Sequence, residues 1–199
     1  MSYVVGIAGG TGAGKTAIAR TLVDRVGGCL IGLDSYYVDR NHLTPDERNR
    51  VNYDEPAAIE MPLLFEHLRC LKAGRVVQKP VYSFETHTRI GVDPVAPKEL
   101  VVVEGLFTLW WETVREVFDF TVFVDAPSDV RLDRRIRRDV MERGRTAEQV
   151  TQQYVATAQP MHDRYVAPTR DHADLVVVND RDIAHAVEQV IATLRARIT

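Results

Sequence analysis

The chain has 199 residues, 45% hydrophobic and 27% charged, with a formal net charge of −3. That composition suits one soluble globular domain without disordered tracts, and the weak negative charge gives no global attraction to nucleic acid. Two cysteines, Cys29 and Cys70, are too few for a disulfide framework. No apolar run is long enough to cross a bilayer, and the N-terminus lacks a signal peptide's basic start, so a cytoplasmic protein is expected.

In chain order, "YVVGIA" (3–8) reads as a strand that ends in glycines, followed by helical spacing from Gly14 to about Arg25. "CLIGL" (29–33) is a second strand ending at Asp34, and residues 35–58 are polar and broken by prolines. Residues 59–74 place Leu63, Leu64, Leu68 and Leu71 on a helical stripe that Gly74 stops, with His67 read as a packed or edge histidine. Residues 75–98 read as a strand-rich flap. Within it, "PVYSFETHTR" (80–89) alternates Val81, Ser83 and Glu85 against Tyr82, Phe84 and Thr86, which suits a half-buried strand with one aromatic face.

"LVVV" (100–103), "FTVFVDAP" (120–127) and "DLVVVND" (174–180) are continuous apolar runs of the kind covered on both faces. Helices are expected over 128–142, over 147–159 behind a Thr146 and Gln149 capping box, and over 182–196. Buried strands alternating with helices predict a three-layer α/β/α sandwich on a five-stranded parallel sheet, a single domain spanning 1–199.

The strongest chemical signal is "GGTGAGKT" (9–16), a full G-x-x-x-x-G-K-[ST] between a predicted strand and a predicted helix. Gly9, Gly10, Thr11, Gly12, Ala13 and Gly14 form a loop whose amides can surround phosphate oxygens at a helix N-terminus. Lys15 would neutralise the β- and γ-phosphates, and the Thr16 hydroxyl would face Mg²⁺. Ligands of an open parallel sheet gather beyond the carboxyl ends of its strands, where Asp34 and Glu104 both fall. One carboxylate at that level can hold Mg²⁺ and another can take a proton from an attacking hydroxyl. Position alone does not say which does which.

"RLDRRIRRDVMERGR" (131–145) carries seven arginines against three acids, with Arg131, Arg134, Arg135 and Arg138 on neighbouring helical rows and Gly144 as a hinge. An arginine-rich lid over 131–146 would bind a transferring phosphoryl group and exclude water. A GTPase-type switch would show guanine-reading and water-positioning signals, and none stands out.

Together "GIAGGTGAGKT", "LDSYY", "NYDEP", "KPVYSFETHTR", "VVVEG", "RRIRRDVMERGR", "QQY" and "ADLVV" occur in the order seen in the uridine-cytidine kinase family and span nearly the whole chain. The sequence resembles that family of phosphate-loop nucleoside kinases. The resemblance implies transfer of the γ-phosphoryl group of ATP or GTP to the 5'-hydroxyl of uridine or cytidine, Mg²⁺ dependence and a homotetramer. It implies Asp34 as the base, with Thr16 and Glu104 organising Mg²⁺, and Arg135 and Arg138 as lid arginines near the phosphates. Tyr37 would line the nucleoside site, Asp54 would hold the ribose hydroxyls, and Tyr53 and Phe84 would pack around the pyrimidine. Tyr82 and His87 would read the base edge, while Arg145 and Gln153 complete the pocket. A histidine at His87, where some relatives carry a bulkier aromatic group, implies acceptance of both pyrimidines. Trp110 and Trp111 fall outside these motifs and are expected to pack or to contact a subunit. The nearest alternative is a phosphoribulokinase-like sugar-phosphate kinase, and a more distant one is a nucleotide-binding regulatory module.

Overall fold

The computed structural model describes residues 1–180 and 182–198. Its elements run β1 (Tyr3–Gly9), α1 (Lys15–Val26), β2 (Cys29–Gly32), α2 (Pro45–Asn49), α3 (Met61–Lys72), β3 (Val77–Ser83), β4 (Thr88–Val95), β5 (Leu100–Glu104), α4 (Glu112–Arg115), β6 (Phe120–Asp125), α5 (Ser128–Arg143), α6 (Ala147–Gln153), α7 (Gln159–Met161), β7 (Leu175–Val178) and α8 (Ile183–Ile198). The five predicted core strands all form, and they make one parallel sheet in the order β2-β5-β1-β6-β7.

Each inner strand is apolar on both faces because each face is covered. On β1, Val4 and Ala8 join Leu64, Leu68, Val101, Val103 and Phe123 on one side. Val5 and Ile7 join Ile18, Leu22, Val102, Val122, Val190 and Leu194 on the other. These side chains are essentially fully buried, and each of them larger than alanine contributes about 1.5–3 kcal/mol of burial. The result is the three-layer sandwich with β1 at its centre, so the loop after β1 leaves from the middle of the sheet between β5 and β6.

The flap is a separate antiparallel pair, β3 with β4. It departs from the alternation expected across 80–89: the register shifts between Val81 and Tyr82, the strand stops at Ser83, and Phe84 to His87 form the turn. His87 takes φ 54°, a left-handed conformation uncommon for a residue with a side chain. The aromatic groups thus gather at the hairpin's end, not along one strand face.

Two other segments differ from expectation. The polar stretch after Asp34 is ordered, by a helical turn over Leu33–Tyr36 and by α2, whose Thr44 and Glu47 form a reciprocal cap. The helix expected to end near 159 continues to His172 through π-type turns over Tyr154–Ala158 and His162–Val166. Pro160 and Pro168 have no N–H to give, so the regular ladder cannot run unbroken there. Trp110 packs edge-on to Tyr165 and Trp111 to Phe107, a packing role. His67 likewise packs, with its Nδ1 3.0 Å from the Tyr36 hydroxyl.

Candidate active site

The loop between β1 and α1 turns tightly because its glycines permit it. Gly12 has φ 76°, and a Cβ there would sit 2.1 Å from the carbonyl oxygen of Arg131. Lys15 opens α1, is 7% exposed and donates to the Gly10 carbonyl at 2.9 Å. Burial pulls the Lys15 ammonium below its ordinary pKa, opposed by the carboxylates of Glu104 and Asp34.

Those two carboxylates reach the loop from neighbouring strand ends. Gly105 brings them together: a Cβ at that residue would lie 2.3 Å from Leu33 Cβ, so only glycine lets the ends of β2 and β5 approach so closely. Thr16 Oγ1 donates to Glu104 Oε1 at 3.1 Å. Asp34 keeps contact with solvent through the cavity it lines. Burial nevertheless raises its pKa, offset chiefly by Lys15 and then by Arg143 and Arg138. Glu104 is raised for the same reason, again offset first by Lys15.

Thr11, Lys15, Thr16, Asp34, Glu104 and Arg138 face a cavity of about 80 Å³. Two carboxylates and a hydroxyl are hard oxygen donors of the kind Mg²⁺ accepts. Among the described residues no group of three or more His, Cys, Asp or Glu side chains could hold a metal alone.

A second cavity, about 440 Å³, adjoins it. Around it stand all eight residues expected to hold the acceptor: Tyr37, Tyr53, Asp54, Tyr82, Phe84, His87, Arg145 and Gln153. The His87 ring stacks on Tyr53 at 4.7 Å and 15°, and its Nδ1 is 3.3 Å from the Tyr82 hydroxyl. Burial, then the cations Arg143, Arg48 and Arg145, lowers the His87 pKa and keeps the ring neutral near pH 7. Asp54 accepts from the Thr157 hydroxyl at 3.2 Å and lies 3.8 Å from Arg135 Nη1. Gln153 Oε1 accepts from Arg145 at 2.6 Å and from Arg135 at 3.1 Å. The two cavities share Tyr37, Asp54, Phe84, Arg135 and Arg143.

The arginine segment is arranged differently from its expected rows. Arg131 is buried against the phosphate loop, with Nε donating to the Ala126 carbonyl at 3.1 Å, and Arg134 donates to the Asn179 carbonyl at 2.8 Å. Neither lines either cavity. Arg138 faces the phosphate side, whereas Arg135 touches both cavities and makes its contacts toward Asp54 and Gln153. Gly144 has φ 63° and closes α5, its N–H bonding to the Asp139 carbonyl.

Two residues of this segment had no expected role. Arg143 lines both cavities and holds its guanidinium 4.4 Å from the Phe84 ring centroid. Asp139 is fully buried among the arginines. Their only sequence signal was membership of the "RRIRRDVMERGR" match.

Residues 4–184 match the model of the phosphoribulokinase/uridine kinase family. The chain belongs to that family. It is 45% identical over 179 residues to a uridine kinase of Halobacterium salinarum, covering 88% of this chain and 80% of the relative. It is 39% identical over 199 residues to a uridine kinase of Halalkalibacterium halodurans, covering 98% and 94%. In three dimensions it resembles the phosphoribulokinase of Rhodobacter spheroides with a TM-score of 0.65 at 16% identity, over 94% of this chain and 74% of that one, a likeness of fold. The protein is therefore a phosphate-loop kinase of the phosphoribulokinase/uridine kinase superfamily.

Proposed function

We propose that this kinase moves the γ-phosphoryl group of ATP or GTP to the 5'-hydroxyl of uridine or cytidine, giving UMP or CMP. The observation that carries the reading is the wall shared by the two cavities. A nucleoside in the aromatic cavity would direct its hydroxyl past Tyr37 and Asp54 toward Asp34, on the phosphate side. A pyrimidine suits a narrow aromatic slot with edge-specific polar groups, and a ribose diol suits the Asp54 carboxylate.

In this reading Asp34 takes the proton of the attacking hydroxyl. Its raised pKa makes it a stronger base than an exposed aspartate, and the Lys15 ammonium opposes that rise by favouring the ionised form. Lys15 and Arg138 offset charge on the phosphoryl oxygens, and Arg135 and Arg143, reaching both cavities, orient acceptor and donor together. The Thr16–Glu104 contact favours those two side chains as the Mg²⁺ holders and leaves Asp34 free for the proton. Bound Mg²⁺ would supply charge neutralisation on the triphosphate.

Three guanidinium groups on the acceptor cavity, from Arg135, Arg143 and Arg145, favour a second reading in which the acceptor is itself a sugar phosphate. Coupled assays with Mg-ATP and Mg-GTP against uridine, cytidine and ribulose 5-phosphate separate the two. UMP and CMP formation is expected; product from the sugar phosphate alone would reject the nucleoside reading.

A further inference from the structure

Asp139 is 0% exposed and lines neither cavity. Even so, every arginine on the walls of the two cavities pairs with it. Oδ1 accepts from Arg138 at 2.8 and 2.9 Å and lies 3.7 Å from Arg143 Nε. Oδ2 lies 3.4 Å from Arg145 Nη1 and 3.7 Å from Arg135 Nε. The backbone takes part too, since the Asp139 carbonyl receives the amides of Gly144 and Arg145 and so turns the chain at the end of α5.

The partners divide by destination. Arg138 faces the phosphate cavity, Arg145 the acceptor cavity, and Arg135 and Arg143 both. Four cations gathered in so small a volume repel one another, and one carboxylate cannot neutralise them all. It can fix where each points while leaving the group net positive for an incoming polyphosphate. A buried carboxylate is costly to desolvate, and here its hydrogen bonds all go to groups that face substrates.

We propose that Asp139 is a positioning residue that sets the four guanidinium groups for donor and acceptor before either binds, so that one buried charge orders both halves of the site. The inference rests on the kinase reading above but not on the choice of acceptor.

The test is Asp139→Asn, read by kcat, by acceptor KM and by calorimetric binding of inorganic tripolyphosphate, which needs no acceptor. A loss of orientation should lower kcat about tenfold or more and raise the acceptor KM. Tripolyphosphate should bind as tightly as to the wild type or tighter, because a negative charge has left the cluster. Kinetics within about twofold of wild type would overturn the proposal. So would a tripolyphosphate affinity that falls in parallel with kcat, the mark of a collapsed site. If the asparagine variant does not melt cooperatively, Asp139→Glu carries the test, since it keeps the charge but displaces it by a methylene. It should show the lowered kcat with retained tripolyphosphate affinity, and wild-type kinetics from it would overturn the proposal. Turnover is measured on whichever acceptor the wild-type enzyme phosphorylates, so failure on uridine and cytidine counts against the nucleoside reading alone.

Discussion

The Arg143 guanidinium lies 4.4 Å from the centre of the Phe84 ring, so the last turn of the arginine helix touches the tip of the flap hairpin above both cavities. A cation held on an aromatic face in a partly dry site is worth about 0.5–2 kcal/mol. If this contact keeps the two edges together, Phe84→Ala and Arg143→Met should each raise the acceptor KM. The double variant should fall short of the summed effects by about 0.5–1 kcal/mol in steady-state kinetics. Full additivity would mean that the contact does not hold the site closed.

Asp34→Asn should lower kcat by about 10²–10⁴ while leaving Mg-ATP binding intact, because it removes the proposed base and spares the phosphate loop. Unchanged single-turnover rates would remove Asp34 from that role.

The same substitution has an opposite effect on stability. The pKa of Asp34 is raised in the folded protein, so the folded state holds its proton more tightly than the unfolded chain does. The stability contributed by that proton is complete below the unfolded value of about 4 and is lost as pH rises through the folded value. At pH 7 the ligand-free Asp34→Asn protein should therefore melt higher than the wild type, with the gap closing toward pH 4 in thermal scans. A lower melting temperature at pH 7 would show that the Lys15 attraction outweighs burial.

His87 has a lowered pKa, so its ring gains a proton at a lower pH than an exposed histidine does. Any rise in uridine KM that follows protonation of His87 should set in below the ordinary histidine pKa of about 6.5, in a profile of KM against pH. His87→Tyr should reduce kcat/KM for uridine more than for cytidine. Equal losses on the two nucleosides would take base discrimination away from this position.

Arg89 ties the flap to the segment that carries Asp34 and Tyr37. Its Nε donates to the Tyr37 carbonyl at 3.0 Å, Nη2 to the Tyr36 carbonyl at 3.3 Å, and Nη1 to Glu60 at 2.5 Å. Arg89→Met should cost about 2 kcal/mol in urea unfolding, since it leaves the Tyr37 carbonyl without this partner and breaks the pair with Glu60. It should raise acceptor KM more than donor KM. Equal changes in both would place its effect outside the acceptor side.

Signals confined to a few neighbouring residues were legible without coordinates. Continuous Val-rich runs announced strands covered on both faces, and "GGTGAGKT" between a strand and a helix announced a phosphate loop, because glycine conformations and helix-end amides act locally. Asp34 and Glu104 could be placed at strand ends for the same reason. The acceptor residues were assigned through the resemblance; their own local pattern suggested an aromatic strand face, and the turn at Phe84 to His87 replaced it.

The sandwich, its central phosphate loop and the residue types available for chemistry are thus written in local stretches of the chain. How seven arginines divide their work is set by packing. Helical spacing puts Arg131, Arg134, Arg135 and Arg138 on adjoining rows. It cannot say that the first two end against the phosphate loop and Asn179, or that Arg143 reaches Phe84, some sixty positions earlier in the chain. Nor can it say that one buried carboxylate gathers the four that face the cavities. Long, flexible cations take their direction from whichever carbonyls, rings and carboxylates the fold brings within reach, and those partners come from distant parts of the chain.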